Sequence, residues 1–405
     1  MKKFLPFWFF LLVYKFGGTL HYSLLSPLGE KLFPLWAVGT MIALGSLVQL
    51  VLDVPAGHWL DRFGYLRLLK FTAFIFSFAG LSLLFGLTKI SYIASLTAAT
   101  FGWLFFGPGV SAYVLSHAPK ASAGKFLSLR DTFESVGVVL ASAVLTFVLT
   151  LTPRPMGLLL GALMLIALVA LFFSPREPGH ALEPKVATHG YEIRRAFLPD
   201  LLRALRRLNP ASTMLLILGV ASSTFYGVIW FVVPIVIAHQ ASSSVFGFGL
   251  GVFDFAIVVL GFILGNLADK GNKRAMVFFG LQLFAVAGIL LGFHFGWLFL
   301  LFGFLATTGD EMASISLWSW LHALDRDHAH DGIIAGAISL FHDLGWALGP
   351  FFGGILYPLI GPSWTIASGA FLICMTWVIY QWLMRGHHSF ASVEVPPKPR
   401  RLRVR

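Results

Sequence analysis

Apolar residues in this chain come in blocks of roughly 20, the length that crosses the hydrocarbon core of a bilayer as an α-helix. Twelve such blocks lie near residues 5–26, 34–57, 67–88, 91–116, 125–150, 156–174, 212–238, 244–267, 274–294, 297–321, 333–360 and 363–384. Each is expected to be helical, because backbone groups in lipid have no water to bond. The short links carry turn chemistry or charge, as in Ser26-Pro27-Leu28-Gly29-Glu30-Lys31, Thr152-Pro153-Arg154-Pro155 and Gly361-Pro362-Ser363. The pattern predicts an all-α membrane protein of twelve transmembrane helices.

Composition agrees. Of the 405 residues 57% are hydrophobic and 12% charged, against about a quarter charged in soluble domains. The 41 Phe and 12 Trp suit lipid-facing and interfacial positions. The net charge of +11 raises the question of nucleic acid, but the basic residues lie between apolar blocks and no nucleic-acid-reading motif is present. No nucleic-acid partner is expected. Cys374 is the only cysteine, so no internal disulfide can form. There is no CxxC or HExxH pattern, and no metal, cofactor or enzymatic activity is expected. The first block follows Met1-Lys2-Lys3 and is interrupted by Lys15 without a convincing cleavage site, so it reads as a retained first span.

One link is long. Residues 175–211 hold Arg176, Glu177, Lys185, Glu192, Arg194, Arg195, Asp200, Arg203, Arg206 and Arg207. Within it, 192–208 reads as an amphipathic helix with Ile193, Phe197, Leu201, Leu205 and Leu208 on one face, either lying on an anionic membrane surface or solvated. The link divides the chain into six-span halves at 1–174 and 212–384, and 385–405 is a basic tail expected to be disordered. Lys31, Lys89 and Arg154 fall on one side of the membrane, Lys15 falls within a span, and the other Lys and Arg fall toward the opposite side. The positive-inside rule then places both termini and the long link in the cytosol.

The halves echo each other at an offset of about 210 residues. Gly57-His58-Trp59-Leu60-Asp61-Arg62 ends the second span and Gly265-Asn266-Leu267-Ala268-Asp269-Lys270 the eighth. Gly124, Asp131 and Gly137 of the fifth span recur as Gly336, Asp343 and Gly349 of the eleventh, each offset by 212. Transporters are commonly built from such repeats, with the binding site at the repeat interface.

These motifs carry a resemblance. The chain resembles the major facilitator superfamily (MFS) from the first span to the twelfth. That family's signature after the second span is G-x-L-A-D-R-x-G-R-[RK]. Gly57, Asp61, Arg62 and Gly64 stand in register, while Tyr65 and Leu66 replace basic residues and Arg67 follows. The second copy keeps Gly265, Leu267, Ala268, Asp269, Lys273 and Arg274, with Asn272 for the second glycine. The eleventh span carries Gly336, Gly345, Gly349, Pro350, Gly353 and Gly354. This looks like the family's antiporter motif, which normally lies in the fifth span; glycines that permit close helix packing are the plainer reading. The resemblance implies two pseudo-symmetric six-helix bundles and secondary transport of a small-molecule substrate by alternating access.

Candidate functional residues follow. Gly57, Asp61, Arg62, Gly64 and Arg67, with Gly265 and Asp269, form a candidate cytosolic gate: glycine permits a tight turn, Asp61 can accept from a neighbouring helix N-terminus, and Arg62 and Arg67 can pair across to the other half. Charges inside spans are costly and are functional candidates by default. Asp310, Glu311, Asp343, His342, Asp254 and Lys15 are candidates for proton coupling or substrate contact. Arg130, Asp131 and Glu134 form a charge cluster read as structural or gating. His322, Asp325, Asp327, His328, His330 and Asp331 make an irregular loop, read as solvated rather than metal-binding. Trp103, Tyr113, Phe225, Tyr226 and Trp230 are candidate cavity aromatics among many that pack or face lipid. The expected partners are a small amphipathic solute, protons and membrane lipids. The expected state is a monomer in the plasma (inner) membrane. The preferred function is proton-driven efflux; proton-linked uptake of a metabolite or metal chelate, and a non-transporting receptor or scaffold, are the alternatives.

Overall fold

The computed structural model describes residues 2–117, 123–176, 210–239, 249–293, 296–324 and 331–385. The amphipathic segment 192–208, the basic tail, and most of the His/Asp loop at 322–331 lie outside the described residues.

The helices are Leu5–Glu30, Leu35–Phe63, Tyr65–Leu81 with a 3-10 extension Ser82–Phe85, Lys89–Leu104 continued by Phe106–His117, Ala123–Thr150, Pro153–Phe172, Pro210–His239, Gly251–Lys270, Lys273–Phe293, Trp297–Leu324 and Asp331–Arg385. The last run is two spans, because Gly361 breaks it at φ 76, ψ 173, a conformation that only glycine adopts without strain. Twelve crossings result, each overlapping a block read from the sequence. They are called spans 1 to 12 below. Nine helices among the described residues are long and apolar enough to cross a membrane, the last of them spanning both spans 11 and 12. Large apolar side chains such as Phe85, Leu359, Phe371 and Trp382 are exposed, as lipid contact requires.

Local chemistry explains several boundaries. Thr88 and Ser91 form a reciprocal capping box at the start of span 4, satisfying two helix-end donors at once. Gly64 ends span 2 at φ 89, its N–H donating to Leu60 O at 3.0 Å. At the equivalent turn after span 8 the backbone is extended at Gly271, and Asn272 Oδ1 accepts from Ala275 N at 3.1 Å, capping span 9. Asparagine, which stands in place of the family's glycine here, serves this copy as a helix cap.

The repeated glycines are packing points. A Cβ on Gly137 of span 5 would lie 2.7 Å from Leu12 O and 2.9 Å from Lys15 Cβ of span 1. A Cβ on its repeat partner Gly349, in span 11, would lie 2.6 Å from Gly227 C and 2.7 Å from Thr224 O of span 7. Spans 5 and 1 thus meet as spans 11 and 7 do. Gly345 and Gly353 continue the seam against Ser223 and Phe231.

Among the described residues, the halves touch away from the face that carries the termini. Gly39 of span 2 packs on Pro350 O and Gly354 of span 11, and Gly354 packs on Leu35. Gly251 of span 8 packs on Val139 and Ser142 of span 5. Tyr22 of span 1 meets Trp230 and Trp346 at ring-centroid distances of 6.3 and 5.9 Å. Each contact lies beyond the midpoint of its span, on the far face or toward it.

Candidate functional site

Four spans of the second half enclose a cavity of about 340 Å³. Span 7 contributes Ser222, Tyr226 and Trp230, and span 8 contributes Phe253 and Asp254. Span 10 contributes Thr307, Asp310, Glu311, Ser314 and Trp318, and span 11 contributes His342 and Trp346. The seven-residue step from Thr307 through Asp310, Glu311 and Ser314 puts these groups on one helix face.

Asp310 takes one close hydrogen bond, and the Tyr226 and Ser314 hydroxyls also stand near its carboxylate. Ser222 Oγ donates to its Oδ2 at 2.8 Å, while Oδ1 is enclosed and has no hydrogen-bond partner. Beside it, Tyr226 OH donates to Thr307 Oγ1 at 3.4 Å. Glu311 has Asp310, Asp254 and Asp131 around it, and Asp254 looks across the boundary to Ser135, Lys15 and Glu134 of the first half. The cavity is therefore acid-rich: three carboxylates and one imidazole line it.

On the first-half side the charges are paired. Lys15 Nζ lies 3.2 Å from Glu134 Oε2 and sits 5.3 and 5.5 Å from the ring centroids of Trp103 and Phe106. Arg130 bonds Asp131 at 2.6 Å, reaches Glu134 at 3.4 Å, and donates to Ser111 Oγ at 2.6 Å. Lys15, which the sequence marks only by its depth, thus belongs with Arg130, Asp131 and Glu134. Its packing follows from Gly137, which lets span 1 come close.

The candidates divide accordingly. Asp254, Asp310, Glu311 and His342 come together around the cavity, joined by Tyr226 and Trp230. Asp343 is not among the lining residues; its Oδ1 lies 3.7 Å from Nδ1 of the adjacent His342. Trp103 flanks Lys15, whereas Tyr113 and Phe225 are fully buried packing residues. Gly57, Asp61, Arg62, Gly64 and Arg67 stand at the terminal face, at the end of span 2 and the start of span 3. Arg62 and Arg67 are exposed there, Arg62 over the Phe63 ring at 5.4 Å. Gly265 and Asp269 stand at the matching end of span 8. Among the described residues no metal-binding group of three or more ligands is found. Sequence reasoning missed Ser222, Trp318 and Trp346: a serine in an apolar span has no distinguishing pattern, and the two indoles resemble many others.

Comparison with known proteins places this arrangement. A family model described as Major Facilitator Superfamily matches residues 7–226 and again 215–403. The chain belongs to the Major Facilitator Superfamily. As an MFS transporter it is an integral, multi-pass membrane protein. Its sequence is 24% identical over 342 residues to Multidrug resistance protein 2 of Bacillus subtilis (strain 168), covering 80% of each chain. The MFS fold is shared with a bacterial homolog of the human lysosomal transporter Spinster, solved inward-facing and occupied. That match has a TM-score of 0.71 at 12% identity, over 94% of this chain and 96% of that one. A D-xylose-proton symporter gives a TM-score of 0.62 at 17% identity, over 92% and 96%.

Proposed function

We propose that this MFS transporter exports amphipathic, positively charged compounds in exchange for protons, by alternating access. The acid-rich cavity carries the reading. Asp254, Asp310 and Glu311 share it with Tyr226, Trp230, Trp318 and Trp346. A carboxylate wall attracts a cation, and indole and phenol faces bind the cation's charge and its apolar body. Export is in keeping with the name of the Bacillus subtilis relative, a multidrug resistance protein, and the D-xylose-proton symporter is by its own name coupled to protons.

The chemistry of exchange follows from charge. Three carboxylates in one low-dielectric cavity repel when all are ionised. Protons relieve that repulsion, and so does a bound cation, so the two compete for the same wall. A cavity that alternately faces two compartments then releases one as it takes the other. Asp310 is the leading proton site, because its enclosed, unpartnered oxygen is costly while charged. With both termini cytosolic, the contacts through Gly39, Gly354 and Tyr22 close the external face, and the cavity serves the cytosol. In the opposite state, the Gly57–Arg67 segment and its copy at Gly265 and Asp269 close the cytosolic face.

Purified protein in vesicles with an imposed pH gradient tests this, with ethidium as the fluorescent cation. Wild type is expected to accumulate ethidium against its gradient. Asp310→Asn should abolish that accumulation while downhill exchange survives. Full gradient-driven accumulation by Asp310→Asn, at equal reconstitution, sinks proton coupling through this residue. Absence of any ethidium movement, with an uncharged amphipath carried instead, sinks the cationic class.

A further inference from the structure

Among the described residues most hydroxyls within the spans follow one habit; Ser95, which donates to Ala79 O of span 3 at 2.7 Å, and Ser222 depart from it. Thr72, Thr100, Ser142, Thr224, Thr308 and Thr376 each donate to the carbonyl four residues back in their own helix, the usual resting place of a helical hydroxyl. Ser222 instead donates out of span 7 to the carboxylate of Asp310, 88 residues away in span 10. It is buried, with 8% exposure. That leaves the two carboxylate oxygens unlike: Oδ2 is occupied, and Oδ1 is the enclosed carboxylate oxygen without a partner among the described residues.

We propose that Ser222 is the positioning residue for Asp310, orienting the carboxylate so that Oδ1 alone exchanges the coupling proton. This rests on the reading of Asp310 as the proton site. A hydroxyl fixed on Oδ2 locks the carboxylate torsion, which is otherwise broad and two-fold. It also supplies a charge-assisted hydrogen bond to the ionised state. Asp310 does not titrate alone. Glu311 neighbours it on span 10, Asp254 approaches from span 8, His342 from span 11, and Tyr226 stands one turn from Ser222 on span 7. The link also ties the acid to span 7, whose Trp230 touches Tyr22 of the first half. The acid's geometry and the boundary between the halves are thus joined through one helix.

The test uses the full chain in vesicles, with ethidium flux measured over a range of pH. Ser222→Ala should fall roughly tenfold in gradient-driven flux, the scale of a hydrogen bond to a charged group, and its pH profile should be displaced. Ser222→Thr, which keeps the hydroxyl, should restore both. Ser222→Ala with Asp310→Asn should behave as Asp310→Asn alone, because nothing is left to orient. Size-exclusion monodispersity confirms folding, and Ser222→Cys replaces the threonine variant if that one aggregates. An unmoved profile in Ser222→Ala overturns the proposal, as does additivity in the double variant or failure of a folded hydroxyl variant to rescue. Silence of both Asp310→Asn and Ser222→Ala overturns the proton-site reading itself. Silence of Asp310→Asn with a defective Ser222→Ala leaves Ser222 acting through another group, and the positioning role fails.

Discussion

Glu30 and His239 meet at the far face of the molecule, carboxylate to imidazole at 3.2 Å. Glu30 ends span 1 and His239 ends span 7, so the two occupy closely matching places in the repeat and the first helix of each half meets its counterpart. The side chains are 26% and 57% exposed respectively, so the pair is worth at most about 1 kcal/mol. Glu30→Gln should therefore open the far face up to about fivefold more often. The measure is labelling of a cysteine placed at Tyr22 by a membrane-impermeant reagent, with Cys374 replaced by serine. Equal labelling of variant and parent counts against the contact as a latch.

The two copies of the turn motif should respond differently to alanine. Gly64 sits at φ 89, where a side chain costs about 1 kcal/mol or more. A Cβ on Gly265 meets nothing within 4 Å, and alanine is the better helix former by about 1 kcal/mol. Gly64→Ala should lower the thermal midpoint in detergent and Gly265→Ala should hold or raise it. The reverse order would mean that the glycines serve the motion and not the resting turn.

Lys15 and Glu134 make a third test. Glu134 also reaches Arg130 at 3.4 Å, whereas Lys15 has Glu134 as its ion-pair partner among the described residues. Glu134→Gln leaves a lysine within a span uncompensated and should cost about 1–3 kcal/mol, less than a fully buried pair because both groups are partly exposed. Lys15→Met should cost less, and the double variant should recover part of the loss. Thermal unfolding of the four proteins forms the cycle. Strict additivity would show that the two side chains do not interact.

Asp310 and Asp343 are both carboxylates in spans of the second half, yet their surroundings rank them. Asp310 lines the cavity, while Asp343 leans on His342 and is 31% exposed. Asp343→Asn should retain most gradient-driven flux where Asp310→Asn loses it. Equal loss in both would restore Asp343 as a partner in coupling.

The sequence carried the twelve crossings because lipid demands helices of one length, and apolar blocks report that length directly. It carried the repeat because Gly137 and Gly349 each let a helix approach to backbone distance, a demand that only glycine meets. Asp254, Asp310 and Glu311 stood out because charge is expensive in lipid. Their convergence was not legible: which face of span 10 meets spans 7 and 8 depends on helix rotation, and no residue type announces it. Asp343 looked equal to Asp310 for the same reason. Ser222 left no mark at all, since its meaning lies in the direction of one hydroxyl. Lys15 was visible and unexplained until Gly137 brought span 5 alongside it.

Trp230, Trp318 and Trp346 are three of the chain's 12 tryptophans, and all three line the one cavity. Indole emission changes when an aromatic cation stacks on it, so the molecule carries its own optical reporter. Titrating solute into detergent-solubilised protein should quench part of the intrinsic fluorescence without any attached dye. Trp230→Phe, Trp318→Phe and Trp346→Phe would apportion that signal among three walls of the cavity and rank solutes by where they sit. Candidate compounds can thus be screened in solution before a single vesicle is made.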